Sequence, residues 1–284
     1  MKKRIYSSLL PLITLVVTVA SLYNLVLNGF TFIWLGTFLS SFPILAYFSS
    51  LFITSQPRTS RLLPGYTIPV ALGTIITFIS FFTTTPTNLT PLILTIISAL
   101  NWVIYLFWYS IFDTPPTEKL VVGKTLPTFA AQNVDRQPVN STSLRGKYHI
   151  IVFYRGNWCP FCMAQIDELS QAYDTLTQRN AELILISPQP HTYSQKLATK
   201  YDLKLRFWID TDNKVAQQLN IDDADSVPFG LEYSGYSTET VLPTTIITNP
   251  DGKMIYIDLP VTYRDRPEVK TFLQILDEAI AQTA

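Results

Sequence analysis

The only two cysteines in the 284-residue chain stand three residues apart, in Trp158-Cys159-Pro160-Phe161-Cys162. Two thiols at that spacing can close a small disulfide ring and reopen it, which is redox chemistry. A thiol at the first turn of a helix also feels the positive end of the helix dipole, which favours thiolate over thiol. The competing reading of Cys-x-x-Cys is half of a zinc site, which needs four ligands. Here only His149 and His191 are available to complete it. The dithiol reading is preferred, and it needs no metal and no cofactor. In that reading Cys159, at the helix mouth, is the accessible low-pKa thiol that attacks a substrate disulfide. Cys162, one turn further in, is the resolving thiol.

The surrounding residues supply the elements that must hold these thiols. Upstream, 149–154 is a short apolar run of β-formers, and downstream Ile166, Leu169, Tyr173 and Leu176 recur at helical spacing. The alternation continues to the C-terminus. Strands are expected at 147–154, 182–187, 205–209, 244–248 and 254–259, and helices at 161–179, 193–201, 214–219 and 267–282. The last two strands join through Asn249-Pro250-Asp251-Gly252, a hairpin signal. Two βα units, a terminal hairpin and a closing helix make an α/β sandwich around a mixed sheet. The polar and aromatic stretch 222–242 reads either as a cover over the site or as a disordered loop.

A net charge of zero conceals two unlike halves. Residues 1–112 carry five basic residues and no acid, whereas 113–284 hold 16 basic residues and all 21 acids. Neither half has the dense basic surface that nucleic-acid binding needs, so nucleic acid is excluded as a partner. The first half contains four uncharged apolar runs, about 5–27, 31–53, 66–82 and 91–112, each near the length of a membrane-crossing helix. They define a transmembrane domain at 1–112 with the lipid bilayer as its partner, followed by a linker at 113–120 and an α/β domain at 121–284. Lys2, Lys3, Arg4, Arg58 and Arg61 all fall on one side of the spans, which predicts a multi-pass protein with both termini and the α/β domain in the cytoplasm. The first run also has the features of a signal peptide, and its removal would leave that orientation unchanged. Asn24 and Asn101 are expected to bond between helices.

Several ordered motifs from about 121 to 284 resemble the peroxiredoxin-like branch of the AhpC/TSA redoxin family, which has the thioredoxin fold. They are Phe153–Cys162, the aspartate-led segment 209–220, the proline-strand segment 242–252 and Tyr263-Arg264-Asp265-Arg266-Pro267-Glu268. The resemblance implies that Pro243 opens a late strand beside the dithiol, with a cis peptide bond. It also exposes departures. Aligned on Cys162, the family's active-site proline and serine or threonine fall at Arg155 and Cys159, and its distant arginine falls at Pro243. The buried aspartate of thioredoxins falls at Phe153. Trp158 reads either as a wall beside the thiol or as a packing residue, and Arg155 either as a source of positive potential or as a solvated loop arginine.

Three functional readings follow. The first is a membrane-anchored thiol-disulfide oxidoreductase, whose partners are a protein or small-molecule disulfide and a thiol reductant. The second is a thiol-dependent peroxidase with an antioxidant role, acting on peroxide through Cys159 or Cys162. The third is a catalytically silent membrane binding or assembly protein.

Overall fold

The computed structural model describes residues 2–84, 88–112, 117–201 and 205–282. Residues 113–116 of the expected linker, and 85–87 before the fourth apolar run, lie outside the described residues. The chain folds as two compact units, the first made of Met1–Ser55 and Thr59–Ile111 and the second of Gln56–Arg58 and Phe112–Ala284.

The first unit is helical: α1 (Lys2–Leu27), α2 (Phe32–Ile53), α3 (Pro64–Thr84) and α4 (Thr90–Ile104), the last continuing as a π turn over Tyr105–Tyr109. All four are long and apolar enough to cross a membrane. Their burial is inverted relative to a water-soluble bundle. Leu12, Val16, Val19, Phe52 and Ile68 face outward, while Thr14, Thr18, Thr37, Ser40, Ser41, Thr77, Thr95 and Ser98 are buried. Small and hydroxyl-bearing residues between helices let backbones approach closely, the packing expected where lipid removes the hydrophobic drive between helices. The Thr95 hydroxyl lies within hydrogen-bond distance of the hydroxyls of Thr37 (3.0 Å) and Thr77 (3.2 Å), tying α4 to α2 and α3. The two asparagines behave otherwise than expected. Asn24 donates to Ala20 O of its own helix, and the buried Asn101 Nδ2 has no partner. Asn24 lies close to the end of α1, where its own carbonyls are the nearest acceptors. Hydroxyls and an indole make the bonds between helices instead: besides Thr95, Tyr6 donates to Asn101 O, Trp102 donates to Thr67, and the Tyr47 and Tyr105 hydroxyls bond each other.

The second unit is a seven-stranded mixed sheet. Its elements are β1 (Ala130–Asn133), β2 (Pro138–Asn140), β3 (Tyr148–Phe153), α5 (Pro160–Gln171), α6 (Tyr173–Thr177), β4 (Ala181–Ser187), α7 (His191–Lys200), β5 (Arg206–Ile209), α8 (Lys214–Leu219), β6 (Asp222–Asp223), β7 (Thr240–Val241), β8 (Thr245–Thr248), β9 (Met254–Asp258) and α9 (Val269–Ala281). The strand order is β2-β1-β5-β4-β3-β8-β9, with β6 and β7 forming a separate pair. Strands β3, β4 and β5 run parallel, β8 is antiparallel to β3, and β9 antiparallel to β8. Central parallel strands extended by a C-terminal antiparallel hairpin are the thioredoxin-like arrangement. All six residues of β3 are buried, as a strand paired on both edges in mid-sheet should be.

Local chemistry explains most boundaries. Asp210 ends β5 and starts α8, its buried carboxylate accepting the Val215 and Ala216 N–H groups. Asn249 Oδ1 accepts from Asp251 and Lys253, closing the β8–β9 turn at Gly252 (φ +79°). The expected helix 161–179 is broken at Ala172 into α5 and α6. The β1–β2 hairpin and the β6–β7 pair carry too few residues to show a strand period. The expected cis bond before Pro243 is also absent: every described peptide bond is trans, the default even for X-Pro bonds.

The closest helix approach generates a test. A Cβ on Gly73 would lie 2.6 Å from Gly36 O and Ser40 N, a distance that backbone cannot yield to. Gly73→Leu should destabilise the helical unit by about 1–3 kcal/mol, the usual cost of overpacking. Circular-dichroism melting of the full-length protein in mild detergent should show a lower midpoint, and an unchanged one would contradict the α2–α3 contact.

Candidate functional site

The two thiols sit where β3 leaves the middle of the sheet. Cys159 occupies the N-cap of α5 with extended backbone (φ −91°, ψ 111°), and Pro160 takes the first helical position, where its missing N–H costs nothing. Gly156 (φ +145°) makes the turn between strand and helix. A Cβ there would stand 2.7 Å from Trp158 Nε1, so the turn and the indole together require glycine.

Both cysteines are free thiols, and both are buried, at 2% and 1% exposure. That corrects the expectation of an accessible Cys159 at the helix mouth. Cys159 caps the helix through its backbone only, its side chain making no bond to a helix N–H. Instead the two thiols hydrogen-bond to each other.

The electrostatic surroundings of the pair favour Cys162 over Cys159 as the ionised thiol. Burial opposes ionisation of Cys162, but it is outweighed by the hydrogen bond from Cys159, the charge of Arg266, the Arg155 N–H and the Arg155 charge. Together these bring the Cys162 thiol down to about 6. The Cys159 thiol is pushed well up, first by its hydrogen bond to Cys162, then by burial and by the charge on Cys162. The pair therefore loses one proton early and holds the second, and the hydrogen-bonded sulfurs share the negative charge, with the surroundings weighting it toward Cys162.

The residues around the pair explain this balance. The Arg155 guanidinium is 5% exposed and stacks over Trp158 with a centroid distance of 4.7 Å. It donates to Ser226 O at 2.9 Å and lies 3.6 Å from Asp223. It is thus a fixed, buried cation rather than a solvated loop arginine. Trp158 is half-buried, and it forms the flat wall on which Arg155 rests. Arg266 is 3% exposed, with Nε and Nη2 buried and without hydrogen-bond partners. It also faces Asp258, whose carboxyl burial pushes up to about 6 while Arg266 pulls it down and Asp265 pushes it up. Phe153, at the position of the thioredoxin aspartate, is buried and brings no carboxylate.

Pro243 is buried at the level of this loop, because the next residue, Thr244, accepts the Phe153 N–H at 2.8 Å. His149 is the second residue of β3, at the strand's far end from the dithiol, and lies 3.9 Å from Glu182; His191 bonds Val134 O. The 222–242 segment is ordered. Ser226 and Asp223 hold Arg155, and Tyr236 bonds Asn157 two residues before Cys159. Arg266 was missed among the candidate residues. Its signal was present in the Tyr263–Glu268 motif, which nothing local connects to the cysteines.

Residues 122–257 match the AhpC/TSA family. Thiol-disulfide oxidoreductase ResA of Bacillus cereus is 23% identical over 139 residues, covering 49% of this chain and 69% of the relative. Peroxiredoxin Bcp of Bacillus subtilis is 22% identical over 121 residues, covering 43% of this chain and 76% of its own length. The solved structure of Mycobacterium tuberculosis AhpC superposes with a TM-score of 0.47 and 16% identity, over 57% of this chain and 94% of the other. Residues 122–257 are an AhpC/TSA family domain, and the strand order of the sheet is thioredoxin-like. This domain belongs to the class of peroxiredoxin-like oxidoreductases.

Alkylation tests the charge assignment. The rate of iodoacetamide labelling of Cys162, followed by mass spectrometry against pH, should rise with a midpoint near 6. Cys159 should label only in alkaline solution. Arg266→Gln should move the Cys162 midpoint up by about one unit, the usual effect of losing a nearby opposite charge. An unmoved midpoint would remove Arg266 from the site.

Proposed function

We propose that the domain is a two-cysteine thiol peroxidase in which Cys162 attacks and Cys159 resolves. The observation that carries this reading is the environment of the Cys162 sulfur. It accepts from the Cys159 S–H and the Arg155 N–H in the field of Arg266. Cys159 thereby takes the place of the serine or threonine hydroxyl of the family motif, and buried arginines supply the positive field that Pro243 cannot. In the reaction the Cys162 thiolate attacks a peroxide oxygen, the O–O bond breaks, and the alcohol or water formed takes up a proton. Cys159 then attacks the resulting sulfenic acid, water leaves, and the Cys159–Cys162 disulfide forms. Two thiol equivalents restore the dithiol and are themselves joined as a disulfide. Fixed donors and cations favour this step because negative charge develops on the departing oxygen. Burial of both sulfurs favours a small oxidant over a protein disulfide.

Thiol-disulfide exchange by the same dithiol is the second reading. The Cys-x-x-Cys spacing and the similarity to ResA favour it. Hydrogen peroxide consumption and insulin reduction by the full-length protein separate the two. Peroxide turnover should be the faster, should vanish in Cys162→Ser, and should leave a trapped sulfenic acid in Cys159→Ser. Insulin reduction that outpaces peroxide turnover, and that depends on Cys159 alone, would establish exchange instead.

We further propose that residues 1–112 are a four-span membrane anchor, 113–120 a linker and 121–284 the redox domain, with both termini in the cytoplasm. The charge asymmetry of the flanking residues supports this orientation. Alkaline phosphatase fused after Phe112 or Ala284 should be inactive and a fluorescent protein at either point bright. Active phosphatase at either junction would reverse the orientation.

A further inference from the structure

Arg58 stands in the loop between α2 and α3, yet Gln56–Arg58 belongs to the same compact unit as the sheet and the thiols. Its guanidinium is partly buried and has three partners there. Nη2 pairs with the Glu168 carboxylate of α5 and donates to Pro267 O at 3.2 Å, and Nε donates to Arg266 O at 3.1 Å. One planar fork thereby joins the helix that carries Cys162 to the segment that carries Arg266. Charge-assisted bonds of this kind are the strong ones.

That segment has little else to fix it. Residues 263–268 belong to no strand or helix, and Pro267 has no N–H to donate. The Arg266 side chain reaches only as far as Asp265 O through Nη1, and its Nε and Nη2 are buried without hydrogen-bond partners. The position of this guanidinium is therefore set by packing and by where its backbone is held. The same segment touches the other cation of the site. Tyr263 lies against Arg155 at 5.8 Å and against Phe161, the neighbour of Cys162, at 5.6 Å.

The charges around the thiols separate two ways in which Arg58 could act. Cys162 is stabilised as thiolate by Arg266 and Arg155 together with the Cys159 S–H, and Arg266 in turn faces the carboxyls of Asp258 and Asp265. The charge of Arg58 is offset by its own partner Glu168, so its effect on the sulfur runs through position. On the reading that Cys162 is the ionised thiol, we propose that Arg58 is a positioning residue of the redox site. It clamps the Arg266–Pro267 backbone to α5 and so holds the Arg266 guanidinium beside the Cys162 sulfur. A residue of the loop between two apolar helices thus completes the electrostatics of the dithiol.

The test is the pH midpoint of Cys162 alkylation by iodoacetamide, read by mass spectrometry on the full-length protein in detergent. Arg58→Gln should raise the midpoint by about half a unit, part of the effect of losing Arg266 altogether. In an Arg266→Gln background the same substitution should add nothing, because the group it positions is gone. A charge acting directly on the sulfur would add equally in both backgrounds. Glu168→Ala reaches the clamp from its other partner and gives an independent reading. Deleting a nearby negative charge by itself lowers a thiol's midpoint, whereas loosening the clamp raises it. An unmoved midpoint in Arg58→Gln, an equal shift in the Arg266→Gln background, or a fall in Glu168→Ala overturns the clamp. An unmoved midpoint in Arg266→Gln alone overturns the reading of Cys162 on which the clamp rests.

Discussion

A buried thiolate must be compensated, and that constraint organises the redox domain. A charge taken out of water without partners costs more than a marginally stable fold can bear. Here the Cys162 sulfur receives a thiol hydrogen bond, a backbone N–H and the field of two buried arginines. Each compensating group has a different origin. The N–H and one guanidinium come from the loop after β3. The second guanidinium comes from the segment before α9, and the S–H comes from the first turn of α5. The sheet must bring all of them to one end of β3.

The same constraint accounts for the 222–242 segment. The buried Arg155 guanidinium donates to Ser226 O and lies beside Asp223, both in this segment. Thr240 fixes the carbonyl of the same residue. The segment is therefore part of the electrostatic support of the site as well as its cover. Gly156 and Trp158 complete that support, because the turn must leave room for the indole on which the guanidinium lies.

The helical unit solves the opposite problem with the opposite pattern. Its exterior is apolar and its interior carries hydroxyls, most of them returned to carbonyls of their own helix one turn back. Gly36 and Gly73 bring α2 and α3 into backbone contact. It contains no acidic residue and no cysteine, so thiol chemistry is confined to the α/β unit.

The sequence by itself determined the elements and the dithiol's place among them, because those signals are local. Four uncharged apolar runs make four long helices whatever packs beside them. The run from 149 into Trp158-Cys159-Pro160 marks a strand giving way to a helix through period and proline alone. Boundaries slipped where local signals are weak, as at the Ala172 break and the short β1–β2 hairpin. Which sulfur holds the charge was not local. The dipole argument pointed to Cys159 because only the first turn of α5 was visible in the sequence. Arg266 lies far along the chain, and only the pairing of β3 with β8 and of β8 with β9, followed by the return toward α9, carries it to the thiols. Burial and the Cys159–Cys162 hydrogen bond were likewise decided by packing. Electrostatics acts through space, and the tertiary fold sets the distances.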